Sequence, residues 1–245
     1  MPSPISAQTE NEVSEYYNAT ANSYDRRFNH PLMQRIHRLE SDFIRQHLPE
    51  RVAVLEVGPG TGRITETLLE QAVRVVVIDS AAEMVAKLRQ RLQHENLEAH
   101  MLPMSKLPQL PEYGGFDAVV CMRVFPHVED IERALRSLDG AVKPGGHLIF
   151  DLWNRNSPYV VLRQLLRRPN PVLTKYYSYT EMCTLLSAAG LRVAHFTAWG
   201  FPLSGRMGLS LEMLGERAAM LIPRFFRRWA FGHIFHAGKL GPHYS

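Results

Sequence analysis

The sequence predicts an α/β fold in which helices flank a mostly parallel, seven-stranded sheet. Two observations lead to this prediction: short apolar runs recur along the chain, and amphipathic stretches separate them, which is typical of strands alternating with helices. The predicted strands are residues 52–57, 73–78, 97–102, 116–121, 147–152, 191–198 and 230–238. The predicted helices between them lie near residues 62–71, 81–94, 128–140 and 180–190.

The residues before the first strand divide into two parts. Residues 1–12 are polar, contain two prolines and are predicted to be a loose tail. Residues 13–48 are predicted to be helical, because apolar side chains from Leu32 to Leu48 recur at spacings of three and four. We expect one domain in three segments: 1–48 as tail and helical cover, 49–198 as α/β core, and 199–245 as an apolar insertion with the last strand.

Composition and charge are those of an ordinary globular protein. The 245 residues are 45% hydrophobic and 21% charged, with a net charge of +4 that does not by itself indicate nucleic acid. Cys121 and Cys183 form no disulfide framework or zinc motif. The start of the chain does not resemble a signal peptide, and no run is long and apolar enough to span a membrane, so we expect a cytoplasmic protein.

The most informative segment is Val54–Arg63, in which a buried strand runs into a glycine-rich turn and then a helix. Glycines allow a ligand to approach the backbone, and the helix that follows offers unpaired N–H groups. A plain turn remains the alternative for a lone glycine cluster. The dinucleotide pattern GxGxxG fails here, because it requires glycine or alanine at Arg63 or Thr65, and the loop has no lysine of a phosphate-binding P-loop.

Asp79 ends the second predicted strand, seventeen residues beyond Gly62. A carboxylate at this edge, beside the glycine turn, can accept hydrogen bonds from both hydroxyls of a ribose. The alternative is that Asp79 only caps the helix that begins near Ala81. The glycine loop upstream favours ribose binding.

The residues Glu56-Val57-Gly58-Pro59-Gly60-Thr61-Gly62, together with Asp79, resemble the class I methyltransferases that use S-adenosylmethionine. Residues 116–121 resemble the fourth strand of that family, and residues 142–148 resemble the turn into its fifth strand. The likeness covers roughly residues 16–152, and its small-molecule branch is the most similar. It implies a Rossmann-like methyltransferase fold, S-adenosylmethionine as cofactor, and a small-molecule acceptor methylated on oxygen or nitrogen.

The resemblance also implies which residues contact the cofactor. These are Tyr17, Tyr24, Glu56, Gly58, Pro59, Gly60, Gly62, Asp79, Ser80, Met84, Met104, Ser105 and Cys121. The two tyrosines belong to a segment that folds over the cofactor in the family, although they could equally pack the first helix onto the sheet.

The sequence departs from the family pattern at two places. Many relatives carry an aspartate after the third strand that accepts from the adenine amino group, and here Pro103 offers no such acceptor, which leaves Met104 and Ser105 for the adenine. After the fourth strand relatives often read Glu-His-Val, and here the sequence is Pro126-His127-Val128. The histidine is retained without its acidic neighbour.

His127 is the candidate general base. Methyl transfer from a sulfonium is a direct displacement, so the protein mainly has to align the reactants and exclude water. A hydroxyl acceptor benefits from a base near the methyl group, which His127 could supply. The alternative is a structural histidine at the start of a helix.

The acceptor is expected to be apolar, because the segments 155–178 and 199–229, where the family builds its acceptor pocket, are rich in apolar residues. Residues 221–229 combine arginines with aromatic side chains and could also touch a membrane surface. His233 and His236 would point to opposite faces of the last strand, so we predict no metal site.

Two other functions remain open from the sequence. The first is an RNA methyltransferase, although the Asp/Asn-Pro-Pro-Tyr element and the Pro-Cys nucleophile of the commonest nucleic-acid chemistries are absent after the fourth strand, and nucleic acid is not expected as a partner. The second is a scaffold protein that retains the fold without methyl transfer.

Overall fold

The computed structural model describes residues 4–167, 170–200 and 229–239, and these form one seven-stranded sheet flanked by helices. The strands are β1 Ala53–Val57, β2 Arg74–Asp79, β3 Leu97–Met101, β4 Phe116–Cys121, β5 Val142–Trp153, β6 Leu191–Trp199 and β7 Gly232–Lys239. The helices are α1 Pro4–Tyr24, α2 Pro31–His47, α3 Arg63–Leu69, α4 Ala82–Arg91, α5 Ile131–Ala141, α6 Pro158–Leu165 and α7 Tyr179–Ala188. Short 3₁₀ turns cover Asp25–Asn29, Met104–Gln109 and Phe125–His127.

The strand order is β3-β2-β1-β4-β5-β7-β6, and β7 runs antiparallel to both of its neighbours while the other pairs are parallel. This confirms the predicted fold class. The chain starts the sheet at β1, winds outward to β3, and then returns to place β4 on the other side of β1. Parallel sheets of this type bind ligands at the carboxyl ends of the strands where the winding changes direction, here between β1 and β4.

Both faces of the central strands are buried, because successive side chains of a strand point to opposite faces. Val54 packs on one face with Ile44 of α2 and Leu68 of α3. Leu55 packs on the other face with Leu135 of α5, in the same cluster as Leu186 of α7. The sheet is therefore a fixed platform, and the loops at its carboxyl edge are held in defined positions.

The amino-terminal prediction was partly wrong. Residues 13–48 are helical as predicted, in two helices joined by a 3₁₀ turn, but α1 already begins at Pro4 rather than following a loose tail to residue 12. Proline is compatible with the first helical turn, where its missing N–H would have no helical partner. Contacts with α4 hold the helix: the Asn18 side chain accepts from the backbone N–H of Glu83 at 2.9 Å.

Other segments also differ in extent from the predictions. Residues 155–178, which show no clear periodicity, contain the helix α6. Strand β5 begins at Val142, five residues before the predicted start, and an irregularity between Phe116 and Ala118 accommodates the added residues. Most of the predicted insertion 199–229 lies outside the described residues. Among the helices that the structure describes, none has the combination of length and apolar composition that crossing a membrane requires.

Candidate active site

A cavity of about 520 Å³ opens at the carboxyl ends of β1, β2 and β4. Its volume falls within the range of roughly 300–1,000 Å³ that is usual for small-ligand sites. The residues around it come from α1, the glycine loop, the end of β2, the 3₁₀ turn after β3, and the segment from Met122 to Ser137. The cavity therefore lies where the strand order predicts a ligand site.

The glycine loop forms the floor of this cavity with its backbone. Gly58 and Gly60 both have positive φ angles, +68° and +58°, and both line the cavity. A Cβ atom on Gly58 would lie 2.3 Å from Cγ2 of Val124, and one on Gly60 would lie 3.5 Å from the Tyr24 ring. The two glycines thus allow Val124 and Tyr24 to pack directly against the loop backbone at the cavity.

Asp79 connects the end of β2 to the glycine loop. Its Oδ2 accepts from the backbone N–H of Gly60 at 3.1 Å, and its Oδ1 accepts from the N–H of Ala81 at 2.9 Å. Burial raises the pKa of this carboxyl, and the backbone hydrogen bonds act in the opposite direction. Each oxygen retains further acceptor capacity toward the cavity, so the carboxylate combines a structural role with the capacity to bind a polar ligand.

Helix α1 and the turn after it form one wall of the cavity. Tyr17 and Tyr24 both line it, with their ring centroids 6.0 Å apart. The hydroxyl of Thr61 in the glycine loop donates to Oδ1 of Asp25 at 2.6 Å, which ties the turn to the loop. At the far end of the wall, the hydroxyl of Ser105 donates to Oε2 of Glu10 at 2.5 Å.

His127 also lines the cavity, from the 3₁₀ turn after β4. Its Nδ1 is 2.7 Å from the carbonyl oxygen of Leu173, so Nδ1 carries the hydrogen of the neutral ring and donates it. Its Nε2, 2.9 Å from the Tyr17 hydroxyl oxygen, is then the acceptor of the phenol hydrogen. Burial lowers the pKa of His127, so the neutral form with a basic Nε2 facing the cavity is favoured.

Comparison with known proteins agrees with this geometry. The family model described as a methyltransferase domain matches residues 55–150, the segment from β1 to β5. A ubiquinone biosynthesis O-methyltransferase of Acinetobacter baylyi is 28% identical over 201 residues, which cover 76% of this chain and 83% of that protein. The chain is an S-adenosylmethionine-dependent methyltransferase with a Rossmann-like fold. The methyl donor of the enzyme is S-adenosylmethionine.

Solved structures show the same fold at low sequence identity. Magnesium protoporphyrin IX methyltransferase from Synechocystis, with bound S-adenosylhomocysteine, has a TM-score of 0.66 at 15% identity and covers 94% of this chain and 99% of that one. The N-methyltransferase NodS from Bradyrhizobium japonicum, also with S-adenosylhomocysteine, has a TM-score of 0.64 at 16% identity and covers 93% and 98%. At these identities the likeness concerns the fold.

Nine of the thirteen residues predicted to contact the cofactor line the cavity of the enzyme, and so does His127. The nine are Tyr17, Tyr24, Gly58, Gly60, Asp79, Ser80, Met84, Met104 and Ser105. Pro59 and Gly62 do not line it, although they shape the loop: a Cβ on Gly62 would lie 2.7 Å from Leu92. Ser105 lines the cavity with both its N–H and its hydroxyl already bound to Glu10.

Cys121 and Glu56 are not among the residues that line the cavity. Cys121 lies fully buried in the core cluster with Phe150 and Leu152 and is not among the residues that line the cavity. Glu56 is buried in β1, where its carboxyl accepts from the hydroxyl of Thr65 in α3 at 2.6 Å. Both belong to central strands whose buried faces carry core side chains, and the family motif by itself does not reveal which side a residue faces.

Two residues at the cavity were missed by the sequence analysis. Glu10 was assigned to a tail, because no apolar periodicity marks the start of α1. Arg123 has a positive φ of 63° and is anchored by Glu40, whose carboxylate accepts from it at 2.9 Å and pairs with Arg63 at 3.0 Å. No local motif marks Arg123, since its partner Glu40 is 83 positions away.

Gly58→Ala is expected to destabilise the enzyme more than Gly145→Ala. Both glycines have positive φ, +68° and +78°, so both substitutions cost backbone strain. Only the Gly58 variant adds a clash, with Val124, because nothing lies within 4 Å of a Cβ at Gly145. The difference in the free energy of unfolding, measured by urea denaturation, should be about 1–3 kcal/mol. Equal losses in the two variants would contradict the close packing of the loop.

Glu56→Gln is expected to change how stability depends on pH. Burial raises the pKa of Glu56 from 4.5 to about 7. The native carboxyl therefore binds its proton more tightly than the unfolded one, so the free energy of unfolding falls as pH rises through this window. Glutamine cannot ionise. The free energy of unfolding of the Glu56→Gln variant, relative to that of wild type, should therefore rise by about 2–3 kcal/mol between pH 4.5 and 8. Urea denaturation at several pH values tests this, with the exposed Glu95→Gln as control; parallel curves for wild type and Glu56→Gln would refute it.

Proposed function

We propose that the enzyme transfers the methyl group of S-adenosylmethionine to a hydroxyl oxygen of an apolar, aromatic small molecule, of the kind found in quinol biosynthesis. The observation that carries this proposal is the neutral His127, whose basic Nε2 faces the cavity and already accepts from a phenol, that of Tyr17. The similarity to a ubiquinone biosynthesis O-methyltransferase supports the same acceptor class.

The two ends of the cavity suit the two reactants. Asp79, Ser80, Met84 and Met104 surround one end and fit the ribose and adenine of the cofactor. We assign the other end, at His127 and its partner Tyr17, to the acceptor. Helix α1 then covers the cofactor through Tyr17 and Tyr24.

Bound S-adenosylmethionine supplies an electrophilic methyl group on a positively charged sulfur. An acceptor hydroxyl would take the position of the Tyr17 hydroxyl at Nε2 of His127 and pass its proton to Nε2, while its oxygen would receive the methyl group that bound S-adenosylmethionine supplies. The carbonyl of Leu173 holds the ring in the productive tautomer and stabilises the imidazolium that results. Tyr17 and Tyr24 exclude water from the reacting atoms.

Glu10 replaces the acidic residue that many relatives carry after the third strand. Its carboxylate lines the cavity beside Met104 and is fixed by two hydrogen bonds from Ser105. A carboxylate in this position can accept from an adenine amino group, which Pro103 cannot do. In this proposal Ser105 positions Glu10, rather than binding the adenine directly.

Arg123 provides positive charge at the cavity for the carboxylate of the methionine part of the cofactor. Burial acts to raise the pKa of its partner Glu40, but the guanidinium groups of Arg123 and Arg63 more than offset this, and the pKa is lowered. The carboxylate of Glu40 is therefore ionised and holds the guanidinium of Arg123 at the cavity, while the buried carboxyl of Asp151 accepts from the backbone N–H of Arg123. The guanidinium can donate there to an anionic group of the ligand.

An acceptor screen tests the proposed function. The purified enzyme is incubated with S-adenosylmethionine and catechols that carry or lack an apolar tail, with matched anilines as nitrogen acceptors. We expect methyl transfer to the catechol oxygen and a lower KM for the tailed compounds. Transfer only to the anilines, or salt-sensitive RNA binding with RNA methylation, would contradict the proposal.

We also propose that the enzyme works in the cytoplasm in contact with a membrane surface that holds the acceptor. Helix α6 and the residue after it expose Leu162, Leu165 and Leu166, with 54–75% of each residue accessible, and Arg167 follows them. Apolar side chains beside arginine suit an anionic bilayer. Residues 221–229 are predicted for the same role, and all of them except Trp229 lie outside the described residues. Wild-type protein should sediment with vesicles containing phosphatidylglycerol, and the double variant Leu162→Ser/Leu165→Ser should stay in the supernatant. Equal binding of the two proteins would contradict the proposal that this surface contacts a membrane.

A further inference from the structure

Four histidines from distant parts of the chain meet on the face of the sheet that α2 covers. They are His47 at the end of α2, His147 of β5, His195 of β6 and His236 of β7. His47, His195 and His236 each offer one nitrogen, and these three atoms all lie within 4.8 Å of one another. His147 adds a fourth ring, with its Nδ1 2.9 Å from Nε2 of His236. We propose that this cluster is a binding site for a divalent transition-metal ion, with Zn²⁺ as the ion it fits best.

The chemistry of the cluster suits that ion. Neutral imidazole is a ligand of Zn²⁺, Cu²⁺ and Ni²⁺, and three histidines with an open fourth position form a well-established zinc arrangement. Among the described residues, Nδ1 of the buried His236 has no hydrogen-bond partner.

The backbone brings His195 to this face through an irregularity in β6. Val193 pairs with Ala237, and regular antiparallel register would then pair His195 with Phe235 on the other face. The register instead shifts between residues 193 and 195, so that His195 pairs with His236. Directly paired residues share a face of the sheet. The bulge therefore places the two side chains together, as bulges commonly do near functional sites.

Binding requires the rings to turn. The rings of His47 and His195 are stacked with centroids 4.1 Å apart and an angle of 17° between their planes, whereas a metal has to lie in the plane of each imidazole. Two nitrogens on one tetrahedral zinc are about 3.3 Å apart, given zinc–nitrogen bonds of about 2.0–2.1 Å. His195 is exposed and His47 half-buried, so both can rotate toward the buried His236.

The site is separate from the methyl-transfer cavity, because none of the four histidines lines that cavity. Helix α2 has 17 residues, a length of about 25 Å, and His47 is its last residue. A bound ion would join the end of this helix to the paired strands β6 and β7. Since metal that binds only the folded state adds its binding free energy to stability, the ion would stabilise the fold rather than take part in methyl transfer.

The test is titration of the full-length, tag-free protein with Zn²⁺ alone after treatment with a chelator. Calorimetry should show one ion per chain at micromolar affinity or tighter, and His47→Ala and His195→Ala should each weaken binding at least tenfold. His94→Ala, an exposed histidine outside the cluster, is the matched control and should bind as wild type does. At a Zn²⁺ concentration of about 100 times the Kd, the wild-type Tm should rise by roughly 5–10 °C.

A second measurement does not depend on the variants folding. Co²⁺ bound by the wild-type protein should show the visible d–d absorption of a four-coordinate site with nitrogen ligands, and Zn²⁺ should displace it. Wild-type protein that binds no Zn²⁺, equal binding by wild type and the two cluster variants, or Co²⁺ with the spectrum of the hydrated ion would each overturn the proposal.

Discussion

His127→Ala is expected to lower kcat for a hydroxyl acceptor by roughly 10²–10⁴-fold, the usual contribution of a general base. The cofactor affinity should change little, because the ring faces the acceptor end of the cavity. Burial lowers the pKa of His127 below its ordinary value of 6.5, so wild-type kcat should stay constant as pH falls to 6.5 and decline only below it. Steady-state kinetics with a catechol acceptor over pH 5–8 measures both effects.

The control variants separate base catalysis from packing. Tyr17→Phe removes the phenol that occupies Nε2 and should retain far more activity than His127→Ala. In the alanine variant the acid limb of the pH profile should disappear, since no other group takes the proton at that position. If kcat of His127→Ala lies within threefold of wild type, or if its acid limb is unchanged, His127 is a structural residue.

Asp79→Ala is expected to weaken binding of S-adenosylhomocysteine at least about 100-fold. Hydrogen bonds to a charged group contribute about 1.5–3 kcal/mol each, and the variant loses the carboxylate that would accept from the two ribose hydroxyls. It also removes the acceptor for the N–H of Gly60, which helps to hold the loop. Isothermal titration calorimetry of wild type and variant gives the ratio directly.

Asp42→Ala is the matched control. Asp42 is an exposed aspartate on α2 that forms an ion pair with Arg45 on the protein surface. This variant should bind as wild type does. Thermal unfolding of Asp79→Ala shows whether it remains folded, and Asp79→Asn keeps an acceptor oxygen without the charge. Wild-type affinity in a folded Asp79→Ala variant would remove Asp79 from the binding site.

The strands could be predicted from the sequence because each is a short apolar run. Such a run can be recognised from neighbouring residues alone, without knowing what packs against it. The glycine loop and Asp79 could be predicted for the same reason, since the residues of each motif are contiguous. The sequence could not show whether the side chain of Cys121 points toward the cofactor or into the core, because that direction depends on what packs on each face of the sheet. The structure places Cys121 in the core.

The features that the sequence did not reveal all depend on contacts between distant segments. Glu10 reaches Ser105 across 95 positions, and Arg123 reaches Glu40 across 83. The histidine cluster is a further example: His233 and His236 do face opposite sides of β7, as predicted, but His236 meets histidines from three other elements. Such sets become visible only once topology and register are known.

The most direct test of the account is calorimetric titration of the wild-type enzyme with S-adenosylmethionine and S-adenosylhomocysteine, with NADH as control. The glycine loop without a GxGxxG pattern, the buried carboxylate of Asp79 and the covering tyrosines predict one site of micromolar affinity for both sulfur compounds and no binding of NADH. A folded protein that binds neither S-adenosylmethionine nor S-adenosylhomocysteine would contradict the assignment of this cavity to methyl transfer.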